Sequence, residues 1–248
     1  MNLNMRWWII AFATVSLSFL CGCLVWAVMA GKISINSPSA DAFPVRGIDV
    51  SRYQGQIDWT RVKKAGIRFA YMKATEGGDY RDPLFAQNWL GTEHVGIPHG
   101  AYHFFTLCKS GKIQAENFIK TVPLETRMLP PVLDLEFTGT CEQGPAIADV
   151  KSEVNDYLEL VEQWGGQRVI LYITYDFYST HLAPDYTDHP IWIRDIIFSP
   201  RKPFKDTFTI WQFSNLGRVN GIGSAVDLNV FNGSEQEFEQ WLSIRKKQ

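Results

Sequence analysis

The residues best suited to chemistry are Asp134 and Glu136, set two apart in the run Leu129–Phe137, which reads LPPVLDLEF. Pro130 and Pro131 suit the start of a strand and not its interior. Val132, Leu133 and Leu135 then read as a short buried strand. Side chains at i and i+2 of a strand leave the same face, roughly 6–7 Å apart along the chain. Two acids on one face of an apolar strand are costly to bury without compensation. They read either as salt-bridged strand-end acids or as an acid/base pair at the mouth of a barrel, and the rest of the chain decides.

The elements that must position them come from alternating patterns. Strand-like runs at Val45–Ser51, Arg68–Thr75, Pro98–Leu107, the LPPVLDLEF stretch, Arg168–Thr174, Pro190–Ile196, Phe208–Phe213 and Ala225–Phe231 are interleaved with helical patterns. The helices are expected near Asp58–Ala65, Pro83–Val95, Ile113–Thr121, Ile147–Trp164 and Ser234–Ser243. The fourth of these has Val150, Val154, Tyr157, Leu158 and Val161 on one stripe. Strands separated by helices imply parallel βαβ units, and eight of them between residues 45 and 248 suggest a compact barrel. The last three strands have short connections without a helical pattern, so that part of the barrel should be irregular.

In such barrels function sits at the C-terminal ends of the strands. Near those ends the reading places Asp49, Tyr102 with His103, Asp134 with Glu136, Tyr172 with Tyr175, Trp192, Trp211 with Gln212, and Asp227. Four carboxylates around one mouth, walled by aromatic rings, are far more specific than one pair. Like charges held together raise the pKa of one acid, as a general acid near neutral pH requires. Glycoside hydrolysis uses such a set: one protonated carboxyl for the leaving oxygen and ionised partners for the cationic transition state or the water. His103 reads as a structural histidine. Lys73 and Glu76 read as a pair near the groove or as plain strand-end charges.

The chain has 248 residues, a net charge of −2 and 14% aromatic residues, which gives no sign of a nucleic-acid partner and suits sugar stacking. Residues 7–30 carry no charge, with Arg6 just before them. They are long enough for a transmembrane anchor with a short cytoplasmic N-terminus at 1–6, or they form a signal peptide cut after Ala30. Leu20-Cys21-Gly22-Cys23 also resembles a lipoprotein box. All three readings export the remainder of the chain. The anchor reading gives a single-pass inner-membrane protein with its domain in the periplasm, and signal cleavage gives a secreted or periplasmic one. Residues 31–44 read as a linker and 45–248 as the folded domain. Cys108 and Cys141 come after successive strands and read as a disulfide in an oxidising compartment, against two free thiols. A non-catalytic glycan binder has no need of four converging acids. A metal-dependent phosphodiesterase would use such acids for a cation but usually adds catalytic histidines. No cofactor or metal is expected, and a monomer is.

The stretches GIDVSRYQG (47–55), YMKATEGGDYRDPLF (71–85), GAYHFF (100–105), PPVLDLE (130–136), LYIT (171–174), IWQFSNLGRVNGI (210–222) and VDLNVFNG (226–233) resemble, in order, the glycoside hydrolase family 25 lysozymes. The resemblance spans nearly the whole of 45–248. It implies an α/β fold, an irregular TIM-like β/α barrel with short, partly missing helices in its C-terminal part. It also implies cleavage of the β-1,4 bond between N-acetylmuramic acid and N-acetylglucosamine in the glycan strands of peptidoglycan. Position by position, Glu136 matches the family's general acid/base and Asp134 the carboxylate that steadies charge or orients the 2-acetamido group. Asp49 and Asp227 match the remaining acids. Tyr102, Tyr172, Trp192, Trp211 and Gln212 match groove positions. After Trp192 the family usually has a small residue and then an aromatic, whereas this chain continues Ile193-Arg194-Asp195. The cysteine pair is not general to the family. Retention, inversion and participation by the substrate N-acetyl group all stay open, with the last preferred.

Overall fold

The computed structural model describes residues 3–29, 35–125, 128–137 and 149–243. In chain order it contains α1 (Leu3–Met29), β1 (Arg46–Val50), a tight turn at Arg52–Gln54, α2 (Trp59–Lys64), β2 (Phe69–Glu76) and β3 (Tyr80–Arg81). Next come α3 (Phe85–Val95), β4 (His99–Phe104), α4 (Gly111–Thr121), β5 (Val132–Leu135), α5 (Val150–Gly165) and β6 (Ile170–Ile173). A short α6 (Tyr175–Phe177), a wide helical turn at Tyr178–Leu182, β7 (Ile191–Arg194), β8 (Phe208–Gly217), β9 (Val226–Phe231) and α7 (Glu235–Ser243) complete the described chain. Every strand expected from the sequence is present. The hairpin strand β3 and the turns after β6 were not expected.

The strands close into a barrel in the order β1-β9-β8-β7-β6-β5-β4-β2, sealed by the parallel pairing of β1 with β2. The expected parallel arrangement holds for all barrel strands but the last. β9 runs antiparallel to both β8 and β1. Residues 218–225 are the only link from β8 to β9, and they are fewer than the dozen or so residues a parallel crossover needs.

Alternation along each strand divides the core in two. Leu133, Leu135, Leu171, Ile173, Ile191 and Ile193 face out and pack under the helices. Phe69, Tyr71, Val132, Ile170, Trp192, Ile210 and Phe231 face in and fill the barrel. Two glycines make room for this filling. A Cβ on Gly47 would stand 2.3 Å from the Phe69 ring, and one on Gly100 2.5 Å from the Tyr71 ring. At the end where the parallel strands begin, α7 closes the barrel, with Phe238 centred 5.7 Å from Phe69 and 5.3 Å from Phe231.

The helices carry the caps their sequences suggest. Asp58 Oδ1 accepts the Arg61 backbone N–H at 3.0 Å at the start of α2, and Gly166 ends α5 at φ 65°. The expected linker is described from residue 35, and its second half belongs to the domain. Phe43 packs edge-on to Trp211 at 5.7 Å, and Asn36 Nδ2 donates to the Phe198 carbonyl at 2.9 Å.

The uncharged N-terminal stretch forms the helix α1, on which Trp7, Phe12, Phe19 and Trp26 are exposed. Among the described residues no helix is long and apolar enough to cross a membrane, so the expected span over 7–30 is not borne out. Cys108 is disulfide-bonded, whereas Cys141, its expected partner, lies outside the described residues.

Candidate active site

Where the parallel strands end, the barrel opens into a cleft of about 340 Å³ lined by all four expected carboxylates, Asp49, Asp134, Glu136 and Asp227. A larger hollow of about 900 Å³ lies at the opposite end, between the strand starts and α7, and contains none of them. Asp134 sits within β5 and pairs in register with Phe104 on one side and Tyr172 on the other. Glu136 stands one residue past the strand end, half-buried at the mouth. The spacing of two therefore sets both acids on the interior face, one deep and one at the rim.

Asp227 reaches the cleft by a different route from the one the sequence suggests. It is the second residue of β9, not one near its C-terminal end. Because β9 is reversed, its beginning lies beside the end of β1, and Asp227 stands directly across from Asp49. The turn after β1 locks this seam. Ser51 and Gln54 cap each other, and Gln54 Nε2 donates to the Ala225 carbonyl at 3.0 Å, just ahead of β9.

Asp49 is 8% exposed and is held by a buried chain of donors. Its Oδ1 accepts Asn229 Nδ2 at 2.6 Å and Gln212 Nε2 at 3.2 Å. Behind these, Trp192 Nε1 donates to Asn229 Oδ1 at 2.9 Å, and the Tyr172 hydroxyl donates to Gln212 Oε1 at 2.9 Å. Each amide is thus fixed with its NH₂ toward Asp49. Asp227 also shares a hydrogen bond with Asp49. Burial, then the Asp49 charge, pushes Asp227 up to about 9, so Asp227 holds the proton and donates it to Asp49. Burial also raises Asp49, against the three hydrogen bonds that favour its ionised form.

Asp134 is held well above the usual carboxylate range, first by burial and then by the Glu136 charge, with Lys73 opposing. Its Oδ1 has no hydrogen-bond partner among the described residues, although it is fully buried. A polar atom left unpaired at such a position is ready for a group that the substrate brings. The Tyr102 phenol is likewise raised by burial and by Asp49, Asp134 and Asp227, and so stays a neutral donor among the acids.

The remaining expected residues divide. Tyr102, Tyr172 and Gln212 line the cleft, and so does Trp192, though at 1% exposure it forms the floor. Trp211 does not join them. It faces outward among Phe43, Phe208 and Phe213 and donates Nε1 to the Asp195 carbonyl at 2.8 Å. Adjacent strand residues point to opposite faces, so Trp211 and Gln212 cannot both look inward. His103 also faces outward. Gln114 Nε2 is spent on the Thr106 and Lys109 carbonyls, so its Oε1 must accept from His103 Nε2–H, leaving Nδ1 to accept from Thr75. Burial lowers this imidazole to about 3, which fixes it neutral and structural. Lys73 and Glu76 do pair, at 2.7 Å. Asn229 was missed, although its place two residues after Asp227 puts it on the same face.

Among the described residues no group of three or more His, Cys, Asp or Glu side chains is arranged to hold a metal ion. The arrangement can supply protons, steady a positive centre and place polar sugar groups.

Known proteins share both the sequence pattern and the fold. Residues 48–222 match the model of the family described as Glycosyl hydrolases family 25. The chain is 36% identical to Lysozyme M1 of Streptomyces globisporus over 206 residues, 79% of this chain and 70% of that protein. It is 38% identical over 209 residues to Uncharacterized protein YegX of Escherichia coli (strain K12), covering 81% of this chain and 74% of that one. The solved structure of a family 25 glycosyl hydrolase from Bacillus anthracis superposes with a TM-score of 0.75 at 37% identity, over 82% of this chain and 95% of that one.

Proposed function

This chain belongs to glycosyl hydrolase family 25, and on that premise we propose that it is a lysozyme cleaving the β-1,4 bond after N-acetylmuramic acid in peptidoglycan. The observation that carries the reading is the meeting of four carboxylates from β1, β5 and β9 in one cleft. Glu136, at the rim, protonates the leaving oxygen and then activates water. Asp134, deep in the cleft with an unpartnered oxygen, accepts the N–H of the substrate's 2-acetamido group. That hydrogen bond favours the ionised form and offsets part of the penalty of burial. So oriented, the acetamido oxygen attacks the anomeric carbon, which makes the reaction substrate-assisted. Asp49, kept ionised by Asn229, Gln212 and Asp227, supplies negative charge opposite the developing cation.

The place of action in this reading lies outside the cytoplasm, where the polymer is. The charge-free stretch 7–30 supports export, and fractionation of cells producing the full chain reads whether it remains attached to the inner membrane.

The test is muropeptide release from purified peptidoglycan by the full chain beside Glu136→Gln. Loss of a general acid should lower the rate by about 10²–10⁴ with the fold intact. Fragments ending in reducing muramic acid from the wild type alone support the reading. Binding without cleavage by both proteins would instead leave a wall-binding module.

A further inference from the structure

Among the described residues, two cations line the cleft, and they are differently employed. Lys73 is ion-paired with Glu76 at 2.7 Å and lies over the Phe104 ring at 4.7 Å. Arg194 ends β7 and, like Trp192 two residues before it, faces inward and lines the cleft. Its neighbour Asp195 faces the other way, where Oδ2 lies 3.4 Å from Arg201 Nε and Oδ1 accepts the Phe198 backbone N–H at 2.9 Å. The Arg194–Asp195 dipeptide is therefore not an ion pair.

The charge of Arg194 is felt by Asp227, by Tyr172 and by Asp176 in α6. Nevertheless its side chain forms neither an ion pair nor a hydrogen bond with any described residue. A counter-ion for the acid cluster would close on one of its carboxylates, as Lys73 does on Glu76. A guanidinium that is half-buried, surrounded by acids and paired with none keeps its fork of N–H donors for something else. Planar, bidentate recognition of a carboxylate is what that fork does best.

We propose that Arg194 is a specificity-determining residue that binds a carboxylate carried by the glycan strand beside the scissile bond. The inference rests on the lysozyme reading above. Sugar hydroxyls and N-acetyl groups are neutral, so the strand's carboxylates have two sources. One is the lactyl ether of muramic acid where the peptide has been removed, and the other is the stem peptide where it remains. In the register of the barrel, Arg194 stands beside Gln212 of β8, two strands round from β5 and its two acids, with β6 between. A carboxylate bound there leaves the sugar ring to Asp134 and Glu136.

The test compares the full-length wild type, Arg194→Ala and Arg194→Lys on three polymers. These are intact peptidoglycan, strands stripped of peptide by an amidase, and the same stripped strands with their lactyl carboxylates methyl-esterified. Loss of a bidentate charged contact should raise KM by on the order of tenfold to a hundredfold with little change in kcat, and lysine should restore only part of it. If the lactyl group is the ligand, the penalty appears on stripped strands and vanishes on esterified ones. If the peptide is the ligand, the penalty is confined to intact polymer. An equal penalty on all three, or one confined to kcat, would mean that Arg194 only tunes the acids and would overturn the proposal. A wild type that cuts none of the polymers would instead sink the lysozyme reading itself.

Discussion

Asp227 keeps a proton that the same side chain in an unfolded chain gives up near pH 4. Its folded value lies at about 9, so between these limits the folded state binds more protons than the unfolded one. Stability then falls as pH rises through that window, which is the opposite of the salt-bridged carboxylate case. Asp49, also raised, acts in the same sense. Asp227→Asn retains an N–H donor for Asp49 and removes the titration. Thermal melts should coincide for the two proteins near pH 4, and the variant should be the more stable by several kcal/mol near pH 8, since each pH unit within that window is worth about 1.4 kcal/mol. A variant less stable than the wild type at pH 8 would contradict the shared proton. At this scale the sequence was informative about acids and poor on amides. Carboxylates two apart on an apolar strand are conspicuous, whereas Asn229 looks like an ordinary polar residue, and Gln212, legible as a groove residue, is not legible as a donor to Asp49.

Alternation within strands is what sorted the aromatic residues. Trp192 and Trp211 look equivalent in sequence, yet one lies inside the barrel and one outside, because each obeys the parity of its own strand. Strand positions are legible from apolar runs. The reversal of β9 is not, since an apolar run looks the same in either direction, and the sequence reading puts Asp227 at the mouth on a wrong premise about which strand end it occupies. Two helices approach closely at Gly111, the first residue of α4, whose absent Cβ would lie 1.7 Å from the Glu153 carbonyl oxygen in α5. Its backbone N–H donates to Glu153 Oε2 at 2.6 Å. Gly111→Ala should therefore push α4 from α5 and cost about 3 kcal/mol or more in urea unfolding. The cleft lies on the other side of the strands, so the protein that remains folded should keep its specific activity.

For the whole molecule, four carboxylates in one cleft invite the idea of a bound divalent cation. The carboxylates meet these demands with protons and amide donors instead: Asp227 is neutralised by its proton, and Asp49 is held by Asn229 and Gln212. Exhaustive treatment with a chelator should leave the rate of muropeptide release unchanged. A loss restored by added Mg²⁺ or Ca²⁺ would refute this account of the site. The site also spans the closure of the barrel. Asp49 comes from the first strand and Asp227 and Asn229 from the last, and the seam between those strands is where their side chains meet. A nascent or truncated chain that ends before β9 lacks Asn229 and Asp227 as partners for Asp49, keeps only Gln212, and has an open barrel wall. Activity of this chain should thus appear only once β9 has closed the barrel. Fragments left by incomplete translation or by cleavage ahead of residue 226 should therefore release no muropeptides.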